Sequence, residues 1–183
     1  MSKLYPGDTF PALPVNTLYG GEKLTTDLFQ TPKTVVWCLR YIGCTVCRYD
    51  IHIAAQRYEE VKAKGAEIVF MLQSDKALLA EELKDTPLPF DIICDPEMKI
   101  YQELEILPAP SMEALVGDQL EALKIKGAAA SAAGFSHGKY EGDEQQLPAM
   151  FIIGADGVVQ KAIYAETIMG LPTLDELLPM LED

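Results

Sequence analysis

Two thiols stand three residues apart in "GCTVC", where Cys44 and Cys47 enclose Thr45 and Val46. Three chemistries use such a pair. As a metal grip it supplies two of the four ligands that a structural zinc needs. As packing it is two small apolar side chains in a core, a common place for free cysteine. As a redox couple it closes a disulfide across one helical turn and reopens on reduction. The zinc reading lacks ligands, because no second pair exists and His52 and His137 each stand alone. The packing reading fits the composition poorly: the pair occupies the least apolar part of its segment, directly after Gly43, where the chain can turn sharply. Redox chemistry is the expectation, with no metal and no cofactor.

Position is what makes such thiols reactive. "KTVVWCLRY", residues 33–41, is β-branched and apolar, a buried-strand composition. From Thr45 to Lys64 the apolar residues Val46, Ile53, Ala54 and Val61 fall at helical spacing. The pair therefore opens a helix. There the unpaired N–H groups of the first turn and the positive end of the dipole stabilise an anion. Thiol pKa values of about 8.5 fall to roughly 3.5–7.5 in such places. The chemistry requires both sulfurs to lie exposed at that helix mouth. Cys38, inside the strand, reads as core, whereas Cys94, at a later strand end, is a candidate resolving thiol.

The remaining elements must hold this turn. Residues 1–32 carry turn signals, with a small hairpin and one helical turn expected among them. "GAEIVFML" reads as a second buried strand, and Ser74 as the N-cap of the helix "DKALLAEELK". "LPFDIIC" is a third strand; "DPE" then supplies an Asp cap with proline at the first helical position. "AMFIIGADGVVQKAIYA" reads as a hairpin turning at Asp156 and Gly157, and "TLDELLPMLED" as a helix opened by a Thr173/Glu176 capping box, with Pro179 a source of a kink. Alternating strands and helices followed by a hairpin imply an α/β fold with a mixed sheet, antiparallel at one edge. One domain over 1–183 accounts for the chain, with an insertion at about 107–148. The insertion holds a helix, "SMEALVGDQLEALK", and an Ala/Gly/Ser stretch, "GAAASAAGFSHG", read as a mobile loop. Apolar residues within 112–123 exceed what one small sheet covers, which is compatible with a homodimer.

A formal charge of −13 excludes nucleic acid and anionic membrane surfaces as expected partners. The start, "MSKLYPGDTFPALPV", has neither the basic residues nor the apolar run of a secretory leader, and no apolar stretch approaches the ~20 residues of a membrane helix. Four cysteines in such a chain point to a reducing, cytoplasmic location, where closely spaced thiols are catalytic or metal-binding.

Pro148, in "QQLPAMFIIGADG", opens the hairpin strand, as suits a residue that cannot donate a ladder hydrogen bond. A cysteine pair after the first core strand, a proline opening a hairpin and a last helix together resemble the thioredoxin fold. The finer pattern resembles the peroxiredoxin-like branch of the alkyl hydroperoxide reductase/thiol-specific antioxidant (AhpC/TSA) superfamily. It is carried by "YPGDTFPALPV", "VVWCLRYIGCTVCRYDI", "EIVFMLQSD", "PFDIICDPEMKIYQEL" and "QLPAMFIIGADGVVQKAIYAE", which span the chain apart from the insertion.

The resemblance implies a redox enzyme with a central mixed sheet flanked by helices. It implies a peroxide or disulfide substrate and a dithiol reductant such as a thioredoxin-like protein. It also implies that Pro148 is cis and packs against the disulfide. Peroxiredoxins place a threonine three positions before the attacking cysteine; by that similarity Cys47 attacks and Cys44 takes the threonine's place. Thioredoxin-type enzymes attack with the first cysteine, here Cys44. Peroxiredoxins also carry an arginine near the strand after the counterpart of Pro148, whereas the three arginines here are Arg40, Arg48 and Arg57. Either Arg40 or Arg48 substitutes for it, or both are solvated surface charges. Tyr41 either donates near the thiolate or packs, Thr45 joins the supporting residues of the turn, and His52 is given no catalytic role. Against the enzyme stands a second reading, a non-catalytic redox-sensing or binding module whose insertion contacts a partner.

Overall fold

The computed structural model describes residues 2–182. Its elements run β1 (Pro14–Thr17), β2 (Gly21–Leu24), a 3₁₀ turn (Thr25–Leu28), β3 (Lys33–Cys38), α1 (Thr45–Gln56), α2 (Tyr58–Lys62) and β4 (Ala66–Leu72). There follow α3 (Lys76–Glu82), β5 (Ile92–Cys94), α4 (Lys99–Glu103), α5 (Met112–Val116), α6 (Leu120–Ala132), β6 (Ala149–Gly154), β7 (Val159–Tyr164) and α7 (Leu174–Met180). The strands form one sheet in the order β2-β1-β5-β4-β3-β6-β7. The β3–β4 and β4–β5 pairs are parallel, while β6 and β7 on one side and β1 and β2 on the other run antiparallel. The N-terminal hairpin, the helical turn and the C-terminal hairpin are where the turn residues put them.

Strand alternation divides the core between the two sheet faces. Val35 and Trp37 of β3 join Ile51, Ala54 and Leu177 on one face, and Cys44 and Cys47 belong to the same cluster. Val36 and Cys38 join Phe10, Tyr101, Leu104 and Phe151 on the other. All six residues of β6 are buried, as a strand covered on both faces requires. The Tyr101 hydroxyl donates to Leu39 O at 2.5 Å and to Met71 O at 3.0 Å, tying the ends of β3 and β4 together just where the thiol loop departs.

Several expected boundaries moved, each for a local reason. The helix expected through Lys64 breaks at Arg57, whose φ of −113° and ψ of 20° end α1 and start α2. Asp75, not Ser74, caps α3; the Ser74 hydroxyl is taken instead by Ile42 N–H at 2.9 Å. Asp95 does cap a helix, accepting from the N–H groups of Lys99, Ile100 and Tyr101, but that helix begins only at Lys99 because Met98 adopts a φ of +58°. In "LPFDIIC" only Ile92–Cys94 is strand. Gly117, at φ +60° beside Thr167, splits the expected insertion helix into α5 and α6. The Ala-rich stretch read as a mobile loop is helical through Ala132, in keeping with alanine's high helix propensity. That helix lies on α1, and Lys126 pairs with Asp50 at 2.7 Å across the contact.

Candidate active site at the start of the first long helix

After β3 the chain continues through Leu39, Arg40 and Tyr41, all buried, before it turns at Gly43. The loop is pinned to the end of β4, with Gln73 N–H donating to Arg40 O at 2.7 Å and Cys44 N–H donating to Tyr41 O at 3.1 Å. Cys44 is the N-cap of α1 and its sulfur accepts from Cys47 N–H at 3.4 Å. A cysteine thus does what serine or aspartate does at other helix starts, and an anionic sulfur does it better.

The two thiols are driven apart electrostatically. A hydrogen bond from the Cys47 side chain leads in holding Cys44 below the ordinary thiol value; burial opposes it, and the Arg40 guanidinium adds to the lowering. Burial first, then the Cys44 neighbour, pushes Cys47 well up. Arg40 Nη1 lies 3.5 Å from Cys44 Sγ. Of the two candidate arginines, Arg40 faces the pair, while Arg48 turns to Glu82 at 3.6 Å and lies over the Phe135 ring. The Tyr41 hydroxyl meets His137 Nε2 at 3.0 Å, and burial followed by Glu144 pushes its phenol up. Thr45 is the first residue of α1 and half-buried.

The sulfurs are not exposed, contrary to the expectation above: Cys44 is 2 % and Cys47 3 % accessible. Both belong to a hydrophobic core cluster, and residues 137–144, beyond α6, fold over the turn beside them. Gly138 N–H donates to Gly43 O at 2.8 Å. Asp143 N–H donates to Gln73 Oε1 at 2.6 Å, and Asp75 N–H donates to Glu141 Oε2 at 2.9 Å. Glu144 Oε2 accepts from Arg40 Nη2 at 2.9 Å. His137, Gln73 and Glu144 were not among the expected site residues. No local pattern marks them, since each reaches the turn from far along the chain.

Pro148 is the second correction. No cis peptide bond occurs among the described residues, so the bond before Pro148 is trans. Its carbonyl accepts from Ala165 N–H at 3.1 Å and its ring lines a small cleft with Lys3, Leu107 and Tyr164. A trans bond here feeds straight into β6, whose Ala149 pairs with Cys38. Cys94 sits on β5 in a different cleft, with Asn16, Lys76 and Asp95, and burial pushes its thiol up to about 12. His52 packs edge-on against Phe135, 5.0 Å between ring centres.

A mixed sheet flanked by helices, with a cysteine capping the helix that follows β3, defines a thioredoxin-like fold. The chain belongs to the AhpC/TSA family, whose model matches residues 6–162. It is 25 % identical over 105 residues to "Thioredoxin-like protein AAED1, chloroplastic" of Arabidopsis thaliana, covering 57 % of this chain and 42 % of that protein. The match therefore spans less than half the length of that relative. Among solved structures, a cysteine-to-serine mutant of peroxiredoxin 6 of Arenicola marina superposes with a TM-score of 0.71 at 16 % identity, covering 98 % of this chain and 72 % of that one. The reduced 2-Cys peroxiredoxin of Plasmodium vivax gives 0.67 at 14 % identity, covering 98 % and 81 %. A yeast mitochondrial 1-Cys peroxiredoxin gives 0.68 at 12 % identity, covering 98 % and 75 %. No helix among the described residues is long and apolar enough to cross a membrane.

Proposed function

We propose that the chain is a peroxiredoxin-like peroxidase in which Cys44 attacks and Cys47 resolves. The observation that carries this reading is the placement of Cys44 Sγ at the N-cap of α1, where it accepts from Cys47 N–H at 3.4 Å and lies 3.5 Å from Arg40 Nη1. The Cys44 thiolate attacks one peroxide oxygen, the O–O bond breaks, and the other oxygen leaves as an alcohol or water after taking a proton. Cys44 is then a sulfenic acid, which Cys47 attacks at sulfur, expelling water and forming the Cys44–Cys47 disulfide. Once Cys44 is neutral, the neighbouring negative charge that opposed Cys47 ionisation is gone, so the second thiol is readied by the first step. A dithiol donor such as a thioredoxin-like protein, in a reducing compartment such as the cytoplasm, returns the pair to thiols. Arg40 supports the thiolate, and Tyr41 and Thr45 frame it. Pro148 serves to start β6, and Cys94 takes no part.

Stoichiometric hydrogen peroxide added to reduced protein tests the scheme: free thiols fall from four to two. Retention of all four removes the peroxidase. Because Cys44 is the attacker, as in thioredoxin-type enzymes, thiol–disulfide exchange is the second reading. Reduction of insulin disulfides without peroxide consumption favours it.

The pH dependence has a definite sign. Alkylation follows the thiolate fraction, and the lowered Cys44 value puts its half-maximal rate at a lower pH than that of an ordinary thiol. Arg40→Met removes a cause of lowering, so the midpoint moves up in pH. Iodoacetamide rates against pH, with the modified cysteine identified by mass spectrometry, read it directly. A midpoint unmoved by the substitution separates Arg40 from the thiolate.

A further inference from the structure

The contact between Arg40 and Glu144 is badly matched for a permanent ion pair. A guanidinium presents a planar fork of donors that fits both oxygens of a carboxylate at once. Arg40 is buried, yet only Nη2 meets Glu144, sharing itself with the Tyr41 hydroxyl at 3.5 Å; Nη1 is turned to the Cys44 sulfur, and Nε has no partner among the described residues. On the other side Glu144 uses only Oε2; Oε1 is buried and unpartnered as well. Unmade hydrogen bonds at buried polar atoms are costly, so this arrangement gains if a better-fitting anion takes the place of Glu144. Glu144 itself belongs to the covering segment and its side chain is 36 % exposed, so it can leave.

We infer that Arg40 is a carboxylate subsite beside the attacking sulfur, occupied by the chain's own Glu144 until a substrate carboxylate displaces it. This rests on the reading that Cys44 is the reactive thiol. The ligand is a small molecule whose reacting sulfur or oxygen lies a few bonds from a carboxylate, since one guanidinium contacts both Cys44 and the anion. Hydrogen peroxide is neutral and gains nothing from the subsite. With a carboxylate-bearing disulfide, the Cys44 thiolate attacks one sulfur, the S–S bond breaks and one thiolate leaves. Cys47 then gives up its proton, attacks Cys44 Sγ and expels the second thiolate. Two electrons pass from the protein dithiol to the substrate, and the two thiol protons go to the two products.

Reduced protein and its Glu144→Gln variant are mixed with dithiobis(nitrobenzoate), an anionic disulfide, and with dithiodipyridine, a neutral one. The substitution is expected to raise the rate with the anionic reagent about tenfold and to change the neutral rate by no more than about twofold to threefold. Arg40→Met in the Glu144→Gln background is expected to remove that selective gain. A matching pair of hydroperoxides, one with and one without a carboxylate, shows whether the natural source is a disulfide or a peroxide. Equal gains with both disulfides reduce Glu144 to a mere cover and overturn the subsite, as does the absence of any gain. As a second measurement, benzoate should slow iodoacetamide modification of Cys44 in Glu144→Gln but not when Arg40 is also replaced; no protection overturns the subsite too. Loss of the peroxidase reading shows separately, as hydrogen peroxide that consumes no thiols while the charge selectivity stands.

Discussion

Cys44→Ser is expected to lower the rate of reaction with peroxide by roughly a thousandfold or more, the size of loss seen when a nucleophile is removed from a working set. Serine in its place keeps the helix cap but provides no anion near neutral pH, and the thiolate is the reactive form. Cys47→Ser is expected to behave differently. Its hydroxyl can still donate to Cys44 as the Cys47 thiol does, so the first attack persists within about tenfold. The reaction then stops at the sulfenic acid, because no sulfur is left to close the disulfide. A sulfenic-acid trap followed by mass spectrometry should label Cys44 in this variant after one equivalent of peroxide, and excess peroxide should drive it to the sulfinic acid. The opposite pattern, with Cys47→Ser inert and Cys44→Ser trapped at Cys47, assigns attack to Cys47, as the family resemblance implies, and ends the assignment made from the electrostatics.

The parts of this site that could be read in the sequence are those made by neighbours along the chain. Cys44 and Cys47 follow a buried strand and open an amphipathic helix, so strand, turn and cap are all local, and local propensities agreed with the fold. The Thr173/Glu176 capping box is legible for the same reason. Arg40 and Arg48 were indistinguishable by spacing, because the choice depends on Glu82 of α3, which draws Arg48 away. Ser74 lost its cap role to a long-range demand from the Ile42 N–H. The Ala-rich end of α6 looked structureless only because low complexity conceals a strong helix former that has α1 to pack on. Residues 137–144 are the least legible part of the site. Their bonds to Arg40, Tyr41, Gly43 and Gln73 cross wide gaps in the chain, and nothing in "SHGKYEGDE" by itself announces which turn it will cover. Gly43 reads in the sequence as a turn residue; its other duty, close approach to Gly138 and Lys139, is set by residues almost a hundred positions away.

That close approach carries the second large effect. A Cβ on Gly43 would lie 2.3 Å from Lys139 O and 2.9 Å from both Gly138 C and Lys139 N, all backbone atoms that cannot rotate out of the way. Gly43→Ala should therefore push residues 137–144 off the turn and break the Gly138 N–H to Gly43 O bond. Overpacking of this kind costs about 1–3 kcal/mol, and the cost falls on the covered state alone. Since about 1.4 kcal/mol is a factor of ten in an equilibrium constant, the uncovered population rises by roughly 5- to 150-fold. Reagents that reach Cys44 only when the cover opens will react faster by the same factor, provided closing outpaces modification. Iodoacetamide modification of Cys44 is thus expected to accelerate about fivefold or more. The loss of global stability in urea, by contrast, is capped by the free energy of opening, since beyond that point the chain simply stays uncovered. An alkylation rate equal to that of the unsubstituted protein shows that the thiols are reached by another path and that the 137–144 segment does not gate them. A collapse of stability far beyond the overpacking cost shows instead that the segment is part of the core rather than a cover, with the same consequence for the gate.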